Sequence, residues 1–194
     1  MKKFNIVFII ILSSIIINAK KDKNPVVLIK TEMGNIEVEI FQNKAPISAG
    51  NFLKCVDDGV YKDSYFYRTV TLNNQPDNDT KIEVIQGGIL DKADDFPPIR
   101  HETTKETGIL HKDGTISYAR NKPGTATTEF FICIGDQPEL DYGGRRNPDR
   151  QGFAAFGRVV KGLDIALEIH RQPANMQMLN PKIKIFNIER LKQG

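Results

Sequence analysis

In the stretch Thr125–Asp141, TATTEFFICIGDQPELD, a glutamate stands directly before five apolar residues, Phe130 to Ile134. A run this short fits a strand, and strand alternation puts Glu129, Phe131 and Cys133 on one face, with Phe130 and Ile132 on the other. A carboxylate beside an aromatic ring on one face marks a barrel rim or the edge of a pocket. Other residue types that could do chemistry do not assemble. His101, His111 and His170 are scattered without metal-ligand spacing, and Cys55 and Cys133 belong to no CxxC pair, so no metal is expected. There is no GxSxG elbow and no phosphate-cradling glycine loop. If the chain is an enzyme, it works without a covalent nucleophile and without a cofactor.

The elements that must position Glu129 are mostly strands. Val26–Lys30 and Asn35–Phe41 read as a hairpin around Thr31–Gly34, and Ser64–Val70, Lys81–Gln86, Thr115–Ala119, Glu129–Ile134, Phe153–Val160 and Ile183–Leu191 as further strands. Helical spacing appears over Pro46–Val56, stopped near Gly59, and over Leu163–His170. The Asn- and Asp-rich stretch 71–80, the charged stretch 91–114 and the excursion 141–152 read as loops. Many short strands with two helices predict a mainly β fold, an antiparallel barrel or sandwich. Cys55 in a helix and Cys133 in a strand are expected to be two separate buried thiols.

Met1-Lys2-Lys3, the apolar run Ile6–Ile17 and the small Ala19 have the layout of a secretory signal peptide over residues 1–19. The alternative is a membrane anchor, but the run is well short of the roughly 20 residues a spanning helix needs. A polar lead-in, 20–25, would then precede one domain over 26–192. The 194-residue chain carries 27 basic and 24 acidic residues, and loss of Lys2 and Lys3 leaves a net charge of +1. That balance makes no electrostatic case for nucleic acid, and no membrane contact is expected after cleavage.

Four stretches, Phe66-Tyr67-Arg68, Ile85-Gln86-Gly87-Gly88, Ser117-Tyr118-Ala119-Arg120 and Thr128-Glu129-Phe130-Phe131-Ile132, resemble the cyclophilin-type peptidyl-prolyl cis-trans isomerases, as does the late strand Phe153–Val159. The resemblance implies a closed eight-stranded antiparallel barrel capped by two helices. It also implies catalysis of X-Pro isomerisation on proline-containing peptides and unfolded protein clients, without cofactor. In residue terms it implies Arg68 as catalytic arginine, Gln86 orienting the substrate backbone, and Phe131 and Leu140 in a proline pocket. Ala119 and Arg120 would contact the residue before proline, Glu129 would stand at the rim, and Val84 and Phe153 would fall at pocket-wall positions. Departures from the family pattern are Glu83 at a pocket phenylalanine, Val84 at a methionine, Glu139 at a groove tryptophan, Phe153 at a histidine, Arg120 at a common asparagine and Glu129 at a common glutamine. Taken together, the readings describe an exported monomer, periplasmic or secreted, that isomerises X-Pro bonds and assists the folding of exported proteins. A catalytically weak cyclophilin-fold chaperone or proline-peptide binding module is the second reading, favoured by Glu83, Val84 and Glu139, and an unrelated ligand-binding barrel the third.

Overall fold

The computed structural model describes residues 23–192; the expected leader, 1–19, lies outside them. Nine strands follow in chain order: β1 (Val26–Thr31), β2 (Gly34–Ile40), β3 (Ser64–Val70), β4 (Val84–Gly88), β5 (Thr115–Tyr118), β6 (Phe130–Cys133), β7 (Ala154–Lys161), β8 (Ala174–Asn175) and β9 (Met178–Arg190). Three α-helices accompany them: α1 (Pro46–Asp57), α2 (Thr104–Thr107) and α3 (Leu163–His170). Neighbouring strands pair antiparallel in the order β1-β2-β7-β5-β6-β4-β3-β9, and β9 returns to pair with β1. The result is the expected closed eight-stranded barrel, with β8 a two-residue extension paired to β9. Closure leaves none of these eight strands with an open edge.

Alternation sorts the side chains. The inner set includes Phe66 from β3, Ile85 from β4, Phe130 and Ile132 from β6, and Phe156 from β7, all withdrawn from solvent. Helix α1 drives Phe52 into this core, where its ring lies 5.3 Å from Tyr61, 5.7 Å from Phe130 and 4.9 Å from Phe156. A second, smaller apolar cluster lies apart from it, built from Val70, Ile82, Val84, Phe131, Cys133 and Leu140 with Ala119 and Phe153 against it. Cys55 and Cys133 are separate buried thiols, as expected.

Three local expectations change. Strand β4 begins at Val84 rather than Lys81, because the Gln75 side chain takes both backbone groups of Ile82 and leaves them no strand partner (Nε2 to the carbonyl 2.8 Å, Oε1 from the N–H 3.3 Å). Strand β9 begins at Met178 rather than Ile183, since the turn at Met176, with φ of 55°, folds the chain back onto β8 and brings Met178 opposite Arg68. Within 91–114 a single helical turn, α2, forms where Thr103 and Glu106 make a reciprocal capping box and Gly108 closes it in the left-handed region. No apolar run follows that box, so periodicity gave no sign of it.

Helix α1 opens at Pro46 with Ala45 before it, which offers no side-chain cap. The buried Glu102 supplies one from across the chain, accepting from the N–H groups of Ile47 at 3.2 Å and Ser48 at 2.7 Å. A carboxylate there satisfies orphan donors and complements the positive end of the helix. Glu102→Ala should therefore lower folding stability by about 2 kcal/mol, since it removes a cap and strands two donors. Urea unfolding checks this; a midpoint shift within error of zero would show that the cap is idle.

Candidate active site

Strand register assembles the site. Arg68 on β3 lies opposite Gln86 on β4, Gln86 lies opposite Phe131 on β6, and Phe131 lies opposite Ser117 on β5. One row of side chains thus crosses four adjacent strands. In β3 the register slips between Phe66 and Arg68, an irregularity at Tyr67. Such a bulge re-aims side chains, and here it lets both Tyr67 and Arg68 reach Gln86.

The guanidinium of Arg68 is held by two amides. Nη1 donates to Gln86 Oε1 at 2.8 Å, and Nε and Nη2 donate to Gln177 Oε1 at 3.0 and 2.6 Å. No carboxylate pairs with it among the described residues. Burial draws its pKa down from the usual arginine value, although a guanidinium stays charged at neutral pH. Gln86 Nε2 in turn donates to Tyr67 Oη at 2.6 Å, and Tyr67 Oη donates to Glu129 Oε2. The other oxygen of Glu129 accepts from the N–H groups of Ile89 at 2.8 Å and Leu90 at 3.1 Å. Gly88 makes room for this carboxylate: at φ of 147° a Cβ there would stand 2.2 Å from Glu129 Oε1.

Beside this chain lies a cavity of about 340 Å³ whose lining includes the nine residues to which the resemblance gives catalytic or binding roles: Arg68, Val84, Gln86, Ala119, Arg120, Glu129, Phe131, Leu140 and Phe153. Its floor is Phe131, with the Phe153 ring edge-on at 5.4 Å. The buried His111 ring stacks beneath Phe131 at 5.8 Å, held by Asp141 at Nδ1 (2.8 Å) and Ser117 at Nε2 (3.0 Å). This Ser-His-Asp set cannot act as a nucleophilic triad, because Ser117 is fully buried. Burial also lowers the His111 pKa, against the opposing pull of Asp141, and the stacked ring braces the floor.

Not every sequence expectation places its side chain toward substrate. Glu129 lines the cavity, but its oxygens are engaged by Tyr67, Thr128 and two backbone donors, so it organises neighbours more than it contacts a peptide. The Arg120 side chain is 1% exposed and forms a bidentate pair with Asp149, its guanidinium 5.1 Å from the centre of the Phe153 ring. Glu83 falls out of the site: its carboxylate is 3.9 Å from His170, and Ile82, two residues before Val84, lines the cavity instead. Glu139 is likewise absent from the lining and pairs with Arg145 at 2.8 Å. The floor is therefore apolar, and the two glutamates that favoured a weakened binding module lose that weight. Sequence reading missed Gln177, Arg146 and Asn147, which reach the site from the turn before β9 and from the excursion 141–152. Only position in space marks them.

Comparison with known proteins agrees with this geometry. The profile of the family described as "Cyclophilin type peptidyl-prolyl cis-trans isomerase/CLD" matches residues 26–190. A peptidyl-prolyl cis-trans isomerase of Acinetobacter baylyi is 34% identical over 191 residues, 93% of each chain. Peptidyl-prolyl cis-trans isomerase A of Dickeya dadantii is 36% identical over 149 residues, 74% of this chain and 70% of that one. A cyclophilin-type isomerase of Cryptosporidium parvum superposes with a TM-score of 0.71 at 20% identity, over 88% of this chain and 99% of that one. A second structure of it, in the presence of the dipeptide Ala-Pro, gives 0.68 at 21% identity, over 87% and 99%. The structures speak for the fold alone, but the profile spans the whole barrel and the bacterial relatives share its sequence. On those grounds the chain belongs to the cyclophilin-type peptidyl-prolyl cis-trans isomerase family.

Proposed function

We propose that this isomerase turns X-Pro bonds in newly exported proteins and so assists their folding, with Arg68 as the catalytic donor and Phe131 as the floor beneath the proline ring. The observation that carries the reading is a charged guanidinium clamped by neutral amides beside an apolar cavity. Rotation about a peptide bond is opposed by amide resonance, with a barrier of ~18–20 kcal/mol, and needs no bond broken. A catalyst need only bind the twisted bond better than either planar form. Twisting localises the lone pair on the proline nitrogen. Three of the five guanidinium N–H bonds of Arg68 go to Gln86 and Gln177, which leaves two to turn toward that nitrogen. The clamp sets the donor in place beforehand, so no reorganisation is needed as the bond twists. The Ala-Pro dipeptide named with the C. parvum relative supports assigning a proline ligand to this cavity.

Export enters from residues 1–19, whose layout supports a cleaved leader. Chains crossing a membrane arrive unfolded, and prolyl isomerisation is a slow step in refolding. The periplasm or the medium is then the place of work. N-terminal sequencing of the protein from its source cell should give a mature chain beginning near Lys20, and an intact leader would overturn this assignment.

Arg68→Ala should lower kcat by about a hundredfold with little change in KM, because the lost charge-assisted donation, ~3 kcal/mol, acts in the twisted state. Exchange NMR on an X-Pro peptide reads both quantities. Equal turnover by wild type and variant would remove Arg68 from the mechanism.

The hydrogen-bond chain also predicts an acid limb. Gln86 donates to Tyr67 Oη and Tyr67 donates onward to Glu129 Oε2, while Glu129 Oε1 is taken by the Ile89 and Leu90 N–H groups. A proton on Glu129 is therefore favoured on Oε2, where its O–H competes with the Tyr67 hydrogen, weakens that bond and disturbs Gln86, which holds Arg68. Burial raises the Glu129 pKa above the ordinary 4.5, against the pull of Tyr67 and the Leu90 and Ile89 N–H groups. The other titratable or charged groups around it are Tyr61, which donates to the Thr128 carbonyl, Arg68 beyond Tyr67, and Asp94 on the cavity lining. As pH falls, kcat should therefore drop with a midpoint above 4.5. Tyr67→Phe should lower kcat at neutral pH and flatten the limb. A limb unchanged in Tyr67→Phe would assign it to another group.

A further inference from the structure

The cavity holds a second guanidinium that the proline-turning mechanism does not use. Arg146 comes from the excursion 141–152, and its Nη1 donates to Gln75 Oε1 at 2.8 Å and to the Thr80 carbonyl at 2.7 Å. Both partners are neutral. Its Nε and Nη2, the edge that grips a carboxylate through two parallel bonds, have no partner among the described residues. The neighbouring arginines behave differently, Arg120 pairing with Asp149 and Arg145 with Glu139. Burial, and then the charge of Arg68, lower the Arg146 pKa, so two like charges without carboxylate partners share one cavity. Asn147, next in sequence, lines the same cavity, and its Nδ2 is shielded from water without any hydrogen-bond partner. An unsatisfied amide donor beside an unneutralised guanidinium calls for an oxygen ligand with negative charge. The two carboxylates on the lining do not serve: Glu129 is taken by its own donors, and Asp94 makes no ion pair with either arginine.

We propose that Arg146 and Asn147 form a carboxylate subsite beside the proline pocket, so that the protein selects substrates carrying an acidic side chain within a residue or two of the proline. This rests on the isomerase reading above and adds the substrate class. Arg146 grips the carboxylate side-on through Nε and Nη2, and the Asn147 amide, turned out of its shielded position, gives the third donor. The charge also relieves the repulsion between Arg68 and Arg146.

The test uses the domain without its leader and peptides that differ only in Glu, Gln or Lys on either side of the proline. NMR titration gives Kd, and exchange spectra of the same samples give turnover. At one flanking position the Glu peptide should bind about three- to tenfold more tightly than its Gln isostere, with the Lys peptide weakest, as for a partly shielded ion pair. Arg146→Gln should bring the Glu-to-Gln ratio close to one, Arg146→Lys should keep part of it, and Asn147→Ala should reduce it. Equal Kd values for Glu and Gln peptides in the wild type would overturn the subsite, and so would a ratio that survives Arg146→Gln. Selective binding without any acceleration of exchange would instead overturn the isomerase reading and leave the subsite standing.

Discussion

The site depends on keeping a positive charge unneutralised. A carboxylate beside Arg68 would hold the guanidinium more tightly but would offset the charge on which the mechanism proposed above relies. Two glutamine oxygens do the holding instead, and each must itself be anchored. Gln86 is anchored by Tyr67 and Glu129, and Gln177 by its Nε2 bond to the Asn74 carbonyl at 3.0 Å. The negative charge is thus placed two side chains away from the positive one, where it orders the dipoles between them. This explains why Glu129 sits immediately before an apolar strand: the strand fixes its carboxylate over the Gly88 turn, and the turn supplies the N–H groups that hold it.

That arrangement is affordable only on a rigid surface. Row positions on β3, β4, β6 and β5 are tied by main-chain pairing, so the separation of Arg68, Gln86 and Phe131 follows from the sheet. The sheet is stiff because a closed barrel has a dense aromatic interior, with Phe52 of α1 meeting Tyr61, Phe130 and Phe156. The outward face then carries a shallow apolar floor over His111, Asp141 and Ser117, a buried polar set whose members satisfy one another. Inner packing serves stability and the outer floor serves recognition, from alternate residues of the same strand.

Much of this was legible in the sequence, for a physical reason. Strand alternation placed Glu129 and Phe131 on one face, short motifs on paired strands pointed to Arg68, Gln86 and Ala119, and the family resemblance added Leu140; all meet in one cavity. What could not be read came from loops. Gln177 lies 109 residues from Arg68, and Arg146 lies 71 from Gln75, so no periodicity links the members of either pair. The Glu83 assignment failed by one position. Side-chain period in an extended chain is two, and Ile82, Val84 and Gln86 share a face that Glu83 does not. The start of β4 was misjudged for a related reason, since a side chain, Gln75, occupies the main-chain groups a strand partner would have used.

Closure of the barrel by β9 on β1 has a consequence for the order in which a chain is delivered. Among the described strands the one that pairs with β1 is made last, and the turn just before it carries Gln177. A piece of the chain that stops short of β9 has neither the seam nor the second clamp on Arg68. Gln86 alone can then hold Arg68, and β1 lacks one of its two neighbours. Long-range closures of this kind are slow to form, so the row of Arg68, Gln86 and Phe131 can pair earlier, but the second clamp on Arg68 waits for β9. An isomerase built this way has an incompletely clamped Arg68 while it is itself an unfinished chain.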